Sequence, residues 1–223
     1  MDVAPGWHTA VLLLIILSVS GLSAYRHSLS PIGFSHGKSL GYLSVILMQW
    51  LTLAFIWFGI RQRGLSLRDL ISGSWPRWTS VLRDIALAVG FIIVSAIVLA
   101  TVSHLLHAGN RDVVSRLLPH APTEAALYLL LCATAGVCEE IIFRGYLQKQ
   151  FSALTHSVSA GLILQAVVFG AAHGYQGPRL MVVITVFGCL FGLLAQWRQS
   201  LRPGMIGHFL QDALPLVLLR FHQ

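Results

Sequence analysis

Three acidic side chains and two histidines lie in or against strongly apolar segments of this chain. The acidic residues are Glu139, Glu140 and Asp212, and the histidines are His173 and His208. An ionised carboxylate inside a membrane-spanning helix costs about 2.5–3.5 kcal/mol on insertion scales, so residues of this kind usually mark functional sites. Carboxylates and imidazoles serve enzymes as general acids and bases, so this set could perform acid–base catalysis.

Helical spacing sorts these groups into pairs. Glu140 and Arg144 are four residues apart, so they share one helix face and can form an ion pair. Glu139 is rotated by about 100° from Glu140 and is left without this partner. His208 and Asp212 are also four residues apart. We expect Arg144 to neutralise Glu140 and to leave Glu139 available for chemistry. A buried ion pair with a purely structural role is the alternative.

Depth in the membrane also groups these residues. In an antiparallel helical hairpin, residues equidistant from the turn lie level, and the polar turn at His156 is midway between Glu139 and His173. At about 1.5 Å per residue, Glu139 and Asp212 both lie about 14 Å from one membrane surface. The same count gives about 8 Å for His208 and about 22 Å for His173. Because helix tilt can absorb several ångströms, we predict one shared functional site near mid-membrane.

The elements that must hold these residues are membrane helices. The chain is 56% apolar and 10% charged, whereas a soluble domain carries about 25% charged residues. The mean hydropathy is +0.74, which excludes both a soluble globule and a disordered chain. Backbone groups in lipid must pair within the protein, and no alternating β-barrel pattern is present. The expected fold class is therefore an all-α, polytopic transmembrane helical bundle.

Seven apolar runs predict about seven helices, plus or minus one. They are Thr9–Ala24, Leu40–Ile60, Ile85–Leu106, Ala125–Leu147, Val158–His173, Leu180–Gln196 and Met205–Leu219. Residues 1–223 are expected to form a single integral-membrane domain, with the catalytic core helices in residues 125–219. The loop at 61–83 holds five arginines, which predicts that it faces the cytoplasm.

The expected partners are the lipid bilayer and a membrane-associated substrate. The net charge is +7, but the basic residues lie mostly between apolar runs, where they suit anionic lipid rather than nucleic acid. Cys132, Cys138 and Cys189 lie in apolar segments without CxxC spacing, so we interpret them as buried hydrophobic residues. The sequence leaves the oligomeric state open.

Three motifs occur in order on the apolar helices of residues 131–214. They are Glu139-Glu140-x-x-x-Arg144, Phe169-x-x-x-His173 and His208-x-x-x-Asp212. They resemble the EExxxR, FxxxH and Hxxx(N/D) motifs of the CAAX protease and bacteriocin-processing family, also called the Abi family. That family comprises multi-helix membrane proteins, including the eukaryotic type II CAAX prenyl endopeptidase. The resemblance implies that Arg144 orients Glu140 in support of the site.

The resemblance also implies roles for the remaining motif residues. Glu139 would activate a water molecule that His173 holds, and no cofactor would be needed. His208 and Asp212 would stabilise the oxyanion. Asp212 stands where the prenyl endopeptidase has Asn, and an aspartic acid donates a hydrogen bond only when it is protonated. Asp212 could therefore orient His208 instead, or bind a metal.

The function that this resemblance implies is that of a glutamic-type intramembrane endopeptidase. It would cleave a membrane-associated peptide or protein at or near the cytoplasmic leaflet. We expect the membrane to be the bacterial inner (cytoplasmic) membrane. One alternative is a zinc-dependent protease with Glu139, His173, His208 and Asp212 as ligands. Others are a non-catalytic immunity or interaction protein on the same fold, and a transporter or proton relay.

Overall fold

The computed structural model describes residues 2–29, 37–109 and 116–220, and within these ranges the chain is helical and contains no strand. The eight helices are α1 (Gly6–Leu29), α2 (Lys38–Arg61), α3 (Leu67–Ile71), α4 (Trp78–Leu105), α5 (Pro122–Thr155), α6 (Val158–Ala172), α7 (Pro178–Arg198) and α8 (Arg202–Arg220). Helices α1, α2, α4, α5 and α7 are long and apolar enough to cross a membrane. The predicted helical bundle is confirmed, and each of the seven apolar runs corresponds to one helix.

The beginning of α4 differs from the prediction. The helix begins at Trp78 rather than Ile85, because its first turns are polar and hydropathy alone assigns them to the loop. Asp84, which directly precedes the apolar run at Ile85–Leu106, is therefore a buried helical residue with only 3% of its surface exposed. The indole nitrogen of Trp75 donates a hydrogen bond to it over 2.8 Å, and Arg198 lies 3.6 Å away.

Apart from the short α3, which lies within the loop at 61–83, the helices alternate in direction and therefore have their ends on two opposite faces. The arginine-rich face contains the loop at 61–83, the α5–α6 turn and the α7–α8 turn. There the Lys149 ammonium donates to the Asp69 carbonyl over 2.8 Å, and the N–H of Leu201 donates to Ile71 over 2.9 Å. On this face, hydrogen bonds from the Ser66 hydroxyl and backbone N–H lower the pKa of Asp69.

The opposite face contains the end of α1, the beginning of α2 and the end of α4. The Tyr42 hydroxyl donates to the Leu117 carbonyl over 2.5 Å, which joins α2 to the segment before α5. Arg179 at the beginning of α7 donates to the carbonyl of His107 over 3.1 Å. These contacts fix which helix ends share each face.

Close approach of α5, α6 and α7 depends on glycine. A Cβ atom added at Gly161 would lie 2.6 Å from the carbonyl oxygen of Gln148, and one added at Gly170 would lie 2.6 Å from that of Met181. Small residues allow membrane helices to pack backbone to backbone, where van der Waals contact supplies the attraction. The helices that carry the first two motifs are therefore held in direct contact.

Candidate active site

Helix α5 changes its winding at the two glutamates. Glu139 ends an α-helical segment, and Glu140–Leu147 form a π-helical segment. The wider winding is visible at its end, where the N–H of Gln148 donates to the carbonyl of Phe143, five residues back. Single π-helical turns within α-helices are frequent at functional sites. The spacing of residues in the sequence gives no sign of this segment.

Glu140 and Arg144 form the buried ion pair that their spacing predicts. Both side chains have no exposed surface, and Nη1 of Arg144 lies 3.0 Å from Oε1 of Glu140. The guanidinium also lies over the rings of Phe169 and Phe191, with its central carbon 4.3 and 4.9 Å from their centroids. Aromatic faces attract cations, so the rings add to the stabilisation of a charge that lipid cannot solvate.

His208 joins the two glutamates through opposite nitrogens of its ring. Nδ1 lies 3.1 Å from Oε1 of Glu140, and Nε2 lies 3.7 Å from Oε2 of Glu139. The second of these contacts is too long for a good hydrogen bond. The carboxylate of Asp212, one turn further along α8, lies 3.6 Å from the same Nε2. Because an ionised carboxylate can only accept, Nδ1 of His208 carries the hydrogen that points to Glu140.

Gln49 of α2 is a site neighbour that the sequence analysis missed. Its Nε2 donates a 2.8 Å hydrogen bond to Oε1 of Glu139. A glutamine in the middle of an apolar run was the available signal, since polar side chains in membrane helices usually serve packing or function. None of the three family motifs lies on α2, so comparison of motifs does not identify Gln49.

His173 enters the site from the short turn after α6. Its Nδ1 lies 2.8 Å from the carbonyl oxygen of Phe169, to which it donates, so the neutral ring presents Nε2 as an acceptor. Its ring also contacts those of Phe169 and Tyr175. The part of the chain that the structure describes gives His173 no direct hydrogen bond to a carboxylate.

A cavity of about 1520 Å³ brings these side chains together. Its walls are mostly apolar, and its lining includes Glu139, His173, His208, Asp212 and Gln49. From these residues the cavity extends towards the opposite face, where it is lined by Leu29, Gly37, Ser103, Leu117 and Gln176. None of its lining residues comes from the loop at 61–83 or from the α5–α6 and α7–α8 turns. The cavity therefore approaches the glutamates from the opposite face.

Three of the four side chains suggested as alternative zinc ligands lie together, because Oε2 of Glu139 and Oδ2 of Asp212 are 3.7 and 3.6 Å from Nε2 of His208. Within residues 2–29, 37–109 and 116–220, no three His, Cys, Asp or Glu side chains are arranged to hold a metal ion. Cys132 and Cys138 are buried and Cys189 is half-buried, and all three are free thiols.

The fold and these contacts define a class of protein: a multi-pass integral membrane protein with a carboxylate–imidazole cluster inside its helical bundle. Residues 121–214, which carry all three motifs, match the sequence model of the type II CAAX prenyl endopeptidase Rce1-like family. The match covers the segment that carries the three motifs, and it agrees with their resemblance to the CAAX protease and bacteriocin-processing family.

One curated relative is the uncharacterized protein YpbD of Bacillus subtilis (strain 168). The chain is 31% identical to it over 124 residues, which are 53% of this chain and 57% of YpbD. The chain thus spans little more than half the length of this relative. No solved structure shows a significant match to the chain.

The ion pair leads to a prediction about stability. Arg144→Met should leave Glu140 buried with only His208 beside it. We expect the free energy of unfolding to fall by about 3–5 kcal/mol, as it does when one partner of a buried ion pair is removed. The double variant Glu140→Gln with Arg144→Met removes both charges and should recover much of this loss. Unfolding in detergent, followed by circular dichroism, measures both. Equal stability of the single and double variants would contradict the pairing.

Proposed function

We propose that this protein is an intramembrane endopeptidase in which Glu139 activates the attacking water. The observation that carries the proposal is the position of the Glu139 carboxylate, beside His208 in a large, mostly apolar cavity. The similarity of residues 121–214 to the type II CAAX prenyl endopeptidase Rce1-like family supports peptide-bond hydrolysis. The substrate would be a membrane-associated peptide or protein, and the membrane the bacterial inner membrane.

In the proposed reaction, a water molecule lies between Glu139 and His173. Its oxygen attacks the carbonyl carbon of the scissile bond while one of its protons passes to Oε2 of Glu139. The resulting tetrahedral intermediate then collapses, the C–N bond breaks, and the proton on Glu139 passes to the departing amine. His173 suits the water-holding role because its Nδ1 is occupied by a backbone carbonyl and its Nε2 can accept.

His208 would stabilise the negative charge that develops on the carbonyl oxygen. Its Nδ1–H is occupied by Glu140, so only the imidazolium form has a second N–H, at Nε2, to donate. The carboxylates of Glu139 and Asp212, 3.7 and 3.6 Å from Nε2, favour the cation electrostatically. One such donor is worth about 3–4 kcal/mol in the transition state. Asp212 would orient the ring and balance its charge.

Substrate would reach the glutamates from the opposite face, since the cavity lining runs in that direction. We expected cleavage at or near the cytoplasmic leaflet. If the five arginines of the loop at 61–83 hold that loop in the cytoplasm, the cavity faces away from the cytoplasm instead. The proposal therefore places the scissile bond in a segment presented from the outer side of the membrane.

The general-base assignment predicts the effect of two substitutions. Glu139→Gln and His173→Ala should each lower turnover by about 100-fold or more, because each removes a group that handles the water. Cleavage of candidate peptides in reconstituted vesicles measures this. Glu124→Gln is the matched control, because Glu124 lies in the first turn of the same helix and its described hydrogen bonds are to the backbone N–H groups of His120 and Ala121. Near wild-type turnover of a folded Glu139→Gln protein would refute the assignment.

The proposed reaction needs no metal, so activity should survive EDTA and phenanthroline. The physical reason is that a carboxylate base and two imidazoles supply proton transfer and charge stabilisation without a Lewis acid. Turnover before and after chelation, with metal analysis of the same preparation, measures this. Stoichiometric zinc, loss of activity on chelation and rescue by added zinc would establish the zinc-dependent alternative.

The direction of access can be mapped with single cysteines in a variant that lacks the three native thiols. Ser103→Cys lies in the cavity lining on α4, and Ser74→Cys lies exposed in the loop at 61–83. A membrane-impermeant maleimide added to intact cells should label Ser103→Cys and should reach Ser74→Cys only after permeabilisation. The reverse pattern would mean that the cavity faces the cytoplasm and that its substrate is cytoplasmic.

A further inference from the structure

Gln49 differs from the other buried glutamines in what it binds. Gln148, Gln150 and Gln165 donate their side-chain N–H groups to the backbone carbonyls of Gly192, Ala4 and Gly188. Gln49 donates instead to a side-chain carboxylate, that of Glu139, over 2.8 Å. The other three glutamines bind backbone carbonyls of neighbouring segments, whereas the only described side-chain hydrogen bond of Gln49 is to the proposed base.

The bond leaves the two oxygens of Glu139 in different surroundings. Oε1 accepts from Gln49, and Oε2 is the oxygen nearest His208, at 3.7 Å from Nε2. Gln49 itself is 9% exposed and lines the cavity, so its amide has little competition from bulk water. Its own Oε1 is buried without a hydrogen-bond partner among the residues that the structure describes.

We propose that Gln49 is a positioning residue for Glu139. By holding Oε1, it fixes the rotation of the carboxylate and directs Oε2 towards the reacting water. The hydrogen bond persists through the reaction, because protonation of Oε2 leaves Oε1 as a carbonyl oxygen that still accepts from the amide. This inference rests on the proposed function, in which Glu139 is the base.

The first test removes the donor and keeps the shape of the side chain. Gln49→Met should lower kcat by about 10-fold to 100-fold with KM changed less than about threefold, because Glu139 stays in place but loses its orientation. Gln165→Met is the matched control, since it removes a buried amide whose described hydrogen bond is to the backbone carbonyl of Gly188. Equal kcat per folded molecule for wild type and Gln49→Met would overturn the proposal and leave Gln49 as a tether between α2 and α5.

The second test replaces the donor by a group whose donor ability depends on pH. In Gln49→Glu, a protonated side chain donates an O–H to Oε1 of Glu139 and restores the contact. An ionised side chain cannot donate, and it repels the base. The activity relative to wild type, per folded molecule, should therefore be highest at acidic pH and fall at least 10-fold as the pH rises. A constant ratio across the pH range would contradict a positioning role.

A spectroscopic measurement separates failure of this inference from failure of the proposed function. The infrared carboxylate band of Glu139 can be isolated as the difference between wild type and Glu139→Gln. This band should shift in Gln49→Met and stay unchanged in Gln165→Met, whether or not a substrate is cleaved. An unshifted band would overturn the inference, whereas a shifted band in a protein without proteolytic activity would refute only the proposed function.

Discussion

The buried charge of Glu140 is the constraint around which the centre of the bundle is built. Two side chains compensate it, Arg144 from the same helix and His208 from α8. The contact also needs room, because a Cβ atom at Gly204 would lie 2.9 Å from Oε2 of Glu140. An unpaired ion in this position would cost several kcal/mol, and the contact of Glu140 with His208 therefore favours keeping α5 and α8 together.

Features set by spacing along one helix could be predicted from the sequence. Residues four apart lie on one face whatever the rest of the chain does, and both Glu140 with Arg144 and His208 with Asp212 are in contact. The seven apolar runs likewise gave the helices, because lipid allows few other backbone structures. The polar turn at His156 was placed correctly between α5 and α6.

Features that depend on contacts between distant helices could not be predicted in this way. Gln49 reaches Glu139 across 90 positions of sequence, and Asp84 is covered by Trp75 and Arg198. The face to which the cavity opens could not be predicted either. Glu139 lies near the middle of α5, so the number of residues between it and the end of the helix is almost the same in both directions. The packing of the helices that line the cavity, among them α1, α2 and α4, decides on which side it opens.

The two adjacent glutamates contact opposite nitrogens of one histidine, His208. Glu140 occupies Nδ1 of His208 and thereby sets which edge of the ring faces the cavity. Nε2 then lies between Glu139 and Asp212, both of which are partly exposed to the cavity, whereas Glu140 is fully buried. A single carboxylate could not both fix the ring and remain open to water. In the proposed reaction, the charge on Glu140 orients the electrostatic partner and leaves Glu139 free to exchange a proton.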